Sequence, residues 1–193
     1  GFDDVAVLAV VGQKYGEIYG TKYSRVKDQA SPFFGQVLLN ANGVPTRDPE
    51  IVKLGNQQAK ALIGFTNSFE YKGVGLSFLV DARIGGEIFS ATHVALQASG
   101  AGKVTAPNGL RESFVPQGVV SNGSGGYAVN TKAVTPQEYW LAVATANNLG
   151  ITEANIYDAS NVRLRNVQLS YSLSRKLLAN SPIKSAKFGV SAN

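Results

Sequence analysis

Apolar and polar residues alternate almost strictly between Gly64 and Ala82. This period of two residues is typical of a β-strand with one apolar face. The alternation breaks once, at Lys72-Gly73, and a two-residue break that ends in glycine is typical of a tight hairpin turn. The segment therefore predicts two antiparallel strands with one apolar and one polar face. The predicted apolar face carries Phe65, Phe69, Tyr71, Val74, Leu76, Phe78, Val80 and Ala82.

A second alternating run, from Asn161 to Leu173, changes parity part-way along. Its early apolar residues are Val162 and Leu164, and its later ones are Val167, Leu169, Tyr171 and Leu173. A β-bulge adds one residue to a strand and so shifts the parity of the residues that follow. We therefore predict either a bulge near Asn166 or a strand whose first residues lie above the apolar belt. A further strand is expected from Ser185 onward.

Turn-forming residues dominate much of the remaining chain. Residues 5–20 predict extended chain with tight bends at glycines. Residues 22–56 contain clustered Asn, Gly, Asp and Pro, which indicate a water-exposed segment with one candidate hairpin across 35–39. We therefore expect mostly loop in this part of the chain.

Residues 85–157 form a long, polar and glycine-rich insertion. Within it, Thr135 followed by proline is typical of a helix start, and a helix is expected over about 136–147. The connections along the chain are therefore short at 72–73, long at 85–157 and short again at 174–184. Short turns on one side of a sheet and long loops on the other are typical of outer-membrane barrels.

Composition favours an all-β protein. The 193 residues include 21 glycines, and 44% are hydrophobic but only 16% charged. Ordinary soluble domains have roughly 25% charged residues. No run approaches the roughly 20 apolar residues that a spanning helix needs, whereas the strands of a transmembrane barrel are short and only half apolar. The pattern is therefore compatible with a membrane barrel.

Little in the chain points to catalysis or to a bound cofactor. Cysteine is absent, which excludes disulfides and thiol chemistry. The single histidine, His93, has no matched carboxylate spacing, so we expect a polar loop residue and neither a catalytic nor a metal site. The net charge of +5 is spread without a basic stripe, so no nucleic-acid partner is expected.

Two sets of side chains are candidates for ligand contact. Ser77, Asp81 and Arg83 share the polar face of the predicted hairpin, where Asp81 and Arg83 either pair with each other or meet a solute. Tyr139 and Trp140 lie at the start of the predicted helix, where they either pack or stack on a sugar. The sequence leaves both alternatives open.

Four segments of the chain resemble the SusC/RagA family of TonB-dependent outer-membrane transporters. They are 11–20 (VGQKYGEIYG), 42–56 with its NGVP, DPE and LGN elements, the hairpin at 64–86, and 157–173 with its YDAS, VRLR and LSYSL elements. The segments follow the family's order and span nearly the whole chain. The chain departs from the family pattern at Lys14, where proline is common, and at Ala59 and Leu62, in a stretch that usually contains proline and tryptophan.

The resemblance implies an all-β fold, with antiparallel strands from part of a large transmembrane β-barrel of about 22 strands and a long loop carrying a short helix. It implies that residues 1–193 are a fragment of the barrel domain, without the plug domain and the final strands, and that 85–157 is an extracellular loop. The apolar faces would meet outer-membrane lipid, and Ser77, Asp81 and Arg83 would face the lumen, where they would contact a passing solute or the plug if they do not only pair with each other. The lipid-facing residues would be Phe69, Tyr71, Leu76, Phe78, Val80, Val167, Leu169 and Tyr171.

By the same resemblance, the intact protein would import glycan oligosaccharides or peptides across the cell outer membrane. Its partners would be the TonB complex, which acts through the plug domain, and a SusD-like surface lipoprotein. An alternative from the pattern alone is a soluble β-sandwich binding module, one that could bind carbohydrate, in which the same apolar faces pack on each other. An enzyme is the least supported class, since no nucleophile with its base can be recognised.

Overall fold

The computed structural model describes residues 5–145, 149–179 and 182–192. Two compact units are formed, one by Gly1–Gln58 with Glu87–Asp158 and the other by Ala59–Gly86 with Ala159–Asn193. The strands are β1 Val5–Leu8, β2 Glu17–Tyr23, β3 Leu38–Leu39, β4 Arg47–Asn56, β5 Ala61–Tyr71, β6 Val74–Ile84, β7 Glu87–Phe89, β8 Val119–Ser121, β9 Tyr127–Val129, β10 Ile156–Asp158, β11 Asn161–Ser172 and β12 Lys187–Ala192. The helices are α1 Ala91–Ala98, α2 Pro136–Thr145 and α3 Arg175–Leu178, with 3-10 turns at Lys103–Thr105, Pro107–Gly109 and Thr152–Asn155.

The described strands pair mainly antiparallel, which confirms the predicted all-β class. Among them, only β3 and β8 pair in parallel. No helix in the described part of the chain combines the length and the hydropathy that a membrane crossing requires.

The second unit is a four-stranded antiparallel sheet in the order β12-β11-β6-β5, which we call the two-faced sheet. The predicted hairpin is confirmed, since Tyr71 pairs with Val74 across a two-residue turn. Lys72 and Gly73 have positive φ angles of 49° and 86°, as the common hairpin turns require. A Cβ at Gly73 would lie 2.7 Å from the Ser172 carbonyl oxygen, so glycine is needed there.

A β-bulge explains the change of parity in β11 and lies where it was predicted. The register between β11 and β6 shifts between Arg165 and Gln168, and Asn166 has a φ of 50°. Asparagine tolerates this left-handed conformation better than most residues, so the extra residue is accommodated there. Leu164 and Leu169 consequently lie on the same face, although their positions have opposite parity.

The described residues of the first unit form three small sheets, in the orders β1-β2-β4, β3-β8-β9 and β7-β10. The predicted extended chain and bends at 5–20 are confirmed, because β1 and β2 flank a turn with positive φ at Gly12 and Gly16. An apolar cluster joins β1, β2, β7 and β10. It consists of Val5, Ile18 and Leu149, with Phe89 and Ile156 packed against them.

The prediction of mostly loop over 22–56 was wrong for its second part, where β4 runs for 10 residues beside β2. The turn-forming pair Asp48-Pro49 lies inside this strand, at an irregularity in the register with β2. A bulge leaves residues out of the ladder, so proline is accommodated without the loss of a sheet hydrogen bond. The candidate hairpin at 35–39 forms only as the short β3 and isolated antiparallel bridges.

The described part of residues 85–157 contains two α-helices where one was predicted. The second, α2, begins as expected. The Thr135 hydroxyl accepts a hydrogen bond from the Glu138 N–H at 3.3 Å, and the Glu138 carboxylate accepts one from the Thr135 N–H at 2.8 Å. These reciprocal bonds form a capping box. The predicted helix end, near Asn147, lies outside the described residues.

The first helix of this segment, α1, was not predicted. Ser90 caps it, because its hydroxyl accepts a hydrogen bond from the His93 N–H at 3.3 Å. His93 therefore lies in the first turn of a helix and not in a loop, and its Nδ1 lies 2.9 Å from the same hydroxyl. Its ring also packs beside Tyr157, with ring centroids 4.8 Å apart. These contacts make His93 part of a helix cap.

Buried polar contacts join β2 to the segment before β10. The Thr21 hydroxyl donates to the Gly150 carbonyl oxygen at 3.0 Å, and the Thr152 hydroxyl donates to the Thr21 carbonyl oxygen at 2.9 Å. Both threonines are fully buried. Gly20 permits this close approach, because a Cβ there would overlap the Thr152 hydroxyl. Buried polar groups that are bonded in this way hold the two segments in one arrangement.

We expect Gly20→Ala to destabilise this unit by about 1–3 kcal/mol, because the added methyl group would overlap Thr152 and lie 2.9 Å from the Leu54 side chain. Urea unfolding followed by fluorescence of Trp140, the single tryptophan, measures the effect. Gly102→Ala is the matched control, since its methyl group would make only ordinary contacts at 3.5 Å. Equal stability of the two variants would contradict the role assigned to Gly20.

Candidate functional site

One face of the two-faced sheet is apolar and exposed. Phe69, Tyr71 and Leu169 keep 56%, 71% and 50% of their surface exposed. The register places all eight residues of the predicted apolar set on this face, five of them exposed and the others half-buried. The eight are Phe69, Tyr71, Leu76, Phe78, Val80, Val167, Leu169 and Tyr171. Within the described part of this unit, no other element covers the face.

The apolar face extends beyond these eight residues. Phe188 of β12 and Leu164 of β11 also lie on it, and both are exposed. The rings of Phe65 and Phe69 lie 6.3 and 6.4 Å from the ring of Phe78, so the aromatic side chains pack along the sheet. Contiguous exposed apolar faces are typical of surfaces that contact another molecule or a membrane.

The opposite face of the same strands is polar. Ser77, Asp81 and Arg83 all lie on it, as their spacing in the sequence predicted. Asp81 forms an ion pair with Arg165 of β11, whose Nε lies 3.1 Å from the Asp81 carboxylate. Sequence reasoning considered only Arg83, from the same strand, as the partner of Asp81. The pair with Arg165 was missed because it joins two strands and depends on their register.

A concavity of about 410 Å³ lies on the polar face, at the end of the hairpin farthest from its turn. Its polar lining comprises Asp81, Arg83, Asn161, Arg163 and Arg165. The last two arginines were not singled out from the sequence. Their spacing of two residues in an alternating strand was the signal that could have placed them on one face. The concavity therefore presents several guanidinium groups together with one carboxylate.

Tyr139 and Trp140, the predicted ligand-contact pair, both make packing contacts. The Trp140 indole N–H donates to the Val104 carbonyl oxygen at 3.1 Å. The Tyr139 ring lies edge-on to the rings of Phe114 and Trp140, with centroids 5.2 Å away in both cases. Trp140 also lines a cavity of about 160 Å³ together with Arg111. Both residues thus have a structural role, and their contact with a ligand stays a prediction.

An ion pair anchors the end of β2 to the 3-10 turn at Thr152–Asn155. The Glu153 carboxylate accepts hydrogen bonds from both terminal nitrogens of Arg25, at 2.6 and 3.0 Å, and from the Tyr23 N–H at 2.9 Å. Burial alone would raise the pKa of Glu153. The hydrogen bonds from Arg25 and Tyr23 outweigh burial and hold this pKa below its ordinary value. The carboxylate is therefore charged when it binds Arg25.

Two comparisons with known proteins bear on the relationships of the chain. No protein-family model matches it. The TonB-dependent receptor P3 of Formosa agariphila is 25% identical over 197 aligned residues, which cover 93% of this chain and 17% of the receptor. The chain thus corresponds to a small part of that relative's length. The match supports the broader part of the resemblance, to TonB-dependent receptors, whereas the SusC/RagA assignment stays a prediction.

We expect Glu153→Gln to lower the free energy of unfolding by about 1 kcal/mol at pH about 7, since charge-assisted hydrogen bonds are lost from a partly exposed pair. Because the folded-state pKa is lowered, this stabilisation is complete above the unfolded-state pKa of the carboxyl group. It is lost as the pH falls through the folded-state value. The difference between wild type and variant should therefore shrink in acid, as measured by urea unfolding followed by Trp140 fluorescence.

Glu50→Gln is the matched control for this measurement. Glu50 pairs with Lys22 at 3.2 Å, but its side chain is 62% exposed. A surface pair of this kind contributes about 0–1 kcal/mol, so the control should change stability little. If Glu153→Gln lowers the free energy of unfolding by the same amount in acid as at neutral pH, this result would contradict the role assigned to the pair with Arg25.

Proposed function

We propose that the two-faced sheet is part of the wall of an outer-membrane barrel, in a transporter of the SusC/RagA type. The observation that carries this proposal is an exposed apolar face opposite a polar face, on strands of spanning length. β5, β6 and β11 contain 11, 11 and 12 residues. A tilted transmembrane β-strand needs about 9–11 residues. Each of these strands is thus long enough to cross the apolar core of a bilayer.

Lipid and lumen would lie on opposite sides of this sheet. The apolar face would meet acyl chains, whereas Ser77, Asp81 and Arg83 would face a water-filled interior. Tyr71 and Tyr171 stand at the turn end of the apolar face, where an aromatic girdle would mark the membrane interface. In a β-sandwich, a second sheet would bury the apolar face. In this structure, side chains on the apolar face are exposed.

The backbone hydrogen bonding of the sheet is also compatible with a bilayer environment. Lipid offers no hydrogen-bond partners, so each backbone N–H and C=O inside it has to be bonded within the protein. β6 and β11 have a neighbour on both sides, whereas β5 and β12 form the two edges of the sheet. In the proposed barrel, each of these edges would pair with a further strand, because closure is what removes exposed edges from a sheet.

The intact protein would act as a TonB-dependent importer of oligosaccharides or peptides. The relative is a TonB-dependent receptor by name, and the resemblance in sequence implies that energy is coupled through a plug domain. Residues 85–157 would form an extracellular segment, since they connect β6 to β11 at the end opposite the turn at 72–73. A SusD-like surface lipoprotein would cover the barrel on that side and deliver the solute.

Lysine substitutions at different depths test the lipid-facing assignment. In the protein inserted into lipid vesicles, Phe65→Lys near the middle of β5 should lower the free energy of unfolding by about 2–4 kcal/mol, because it places a charge near the bilayer midplane. Tyr71→Lys, at the turn end of the same strand, should lower it by only about 0–1 kcal/mol. Urea unfolding measures both free energies.

Thr66→Lys is the control for this series, since Thr66 neighbours Phe65 but lies on the polar face. The introduced lysine would face the water-filled interior, so Thr66→Lys should lower the free energy of unfolding far less than Phe65→Lys does. Similar costs at all three positions would contradict the assignment of the apolar face to lipid.

A further inference from the structure

We propose that the polar face of the two-faced sheet binds an oxyanion group of an acidic solute, at a site centred on Arg163. The site occupies the concavity of about 410 Å³ on that face. Arg83, Arg163 and Arg165 all line it, whereas Asp81 is the one carboxylate among its described lining residues. Three guanidinium groups and one carboxylate make the concavity positively charged, and a concave wall focuses that potential.

The ion pairing within the sheet leaves Arg163 available to a ligand. Asp81 is bonded to Arg165, with 3.1 Å between the Arg165 Nε and the carboxylate. Arg163 lies directly opposite Asp81 in the register and yet forms no ion pair with any described residue. It is also exposed. Its guanidinium can therefore bind an anion without breaking an existing ion pair.

The backbone places the arginines at distances from which they can converge. Arg163 and Arg165 are two residues apart in β11, so their Cβ atoms lie about 6.6 Å apart on one face. Arg83 pairs with Asn161 and is therefore a diagonal neighbour of Arg163, at about 7–8 Å. Each guanidinium offers a planar fork of N–H donors that matches a carboxylate or a sulfate. An anion bound at Arg163 therefore also lies close to the positive charges of Arg83 and Arg165.

Gly64 keeps the concavity open. It pairs with Asp81 and lies on the same face as the arginines. A Cβ at this position would have only the Asp81 carboxylate within 4 Å, at 3.7 Å. The absence of a side chain at Gly64 therefore leaves room for a ligand group beside the arginines.

An acidic oligosaccharide or an acidic peptide would satisfy this chemistry. Both present carboxylates to which guanidinium groups form charge-assisted hydrogen bonds, whereas neutral solutes lack that group. Naming either of them as the transported solute rests on the proposed function. The binding site itself rests only on the geometry and charge of the sheet.

Calorimetric titration of the detergent-solubilised chain tests the site with two matched pairs of probes. The acidic probes are digalacturonate and a diglutamate peptide with blocked ends, and the neutral ones are galactobiose and the corresponding diglutamine peptide. We expect an acidic probe to bind at least about tenfold more tightly than its neutral counterpart. The acidic probe that binds more tightly identifies the chemical source of the group. Added salt should weaken its binding.

Substitutions at Arg163 separate this site from a general effect of charge. Arg163→Gln should weaken binding of the acidic probe about tenfold, and Arg163→Lys should weaken it less, because lysine keeps the charge but loses the fork. Arg175→Gln is the matched control, since it removes the same charge from an exposed position of the same unit and should change nothing. Equal affinities for acidic and neutral probes, or an unaltered affinity in Arg163→Gln, would overturn the proposal.

The titration tests whether the anion site exists, and the lysine series in vesicles tests the proposed membrane location, so each proposal can be disproved separately. Binding in micelles does not require the strands to cross a membrane, so a negative titration counts against the site at Arg163 alone. Similar unfolding costs for Phe65→Lys and Tyr71→Lys in vesicles count against the membrane assignment and leave the titration unaffected.

Discussion

An apolar sheet face that its own unit leaves uncovered is unfavourable in water, and the proposed function of the chain depends on this constraint. Removing apolar surface from water contributes about 25 cal/mol per Å², so aromatic side chains such as Phe69 and Tyr71 are unfavourably placed in water. In a bilayer their exposure becomes favourable, while strand pairing satisfies the backbone groups. The bulge at Asn166 keeps the apolar side chains of β11 on one face of the sheet, because without it part of the strand would turn them to the polar face.

Besides its apolar cluster, the first unit contains polar groups that are bonded at buried or half-buried positions. Thr21 bonds to Thr152 and the enclosed Glu17 carboxylate binds Lys53, whereas the pair of Arg25 with Glu153 is half-buried. The hydrogen bond from Lys53 lowers the pKa of Glu17 despite its burial, which keeps the carboxylate charged. Fully bonded polar contacts of this kind favour a single arrangement of the chain.

Local signals explain which parts of the fold could be predicted from the sequence. The hairpin follows from alternation and from the turn at Lys72-Gly73, and the change of parity in the next run indicated the bulge. β4 was missed because a proline inside a strand resembles a turn unless the bulge that accommodates it is known. The pair between Asp81 and Arg165 was missed for a related reason, since it depends on which residues of two distant strands lie opposite each other. The shared polar face of Ser77, Asp81 and Arg83 needed only the period of the strand.

Lipid contact of successive residues along β6 is the most direct test of the membrane assignment. The chain contains no cysteine, so single cysteines introduced into it can be labelled with a fluorophore one at a time. In the protein inserted into vesicles, we predict that a lipid carrying a nitroxide quenches labels at Leu76, Phe78 and Val80 but not labels at Ser77 and Asp81. Equal quenching of both sets, or quenching of neither, would contradict the assignment of the apolar face to lipid.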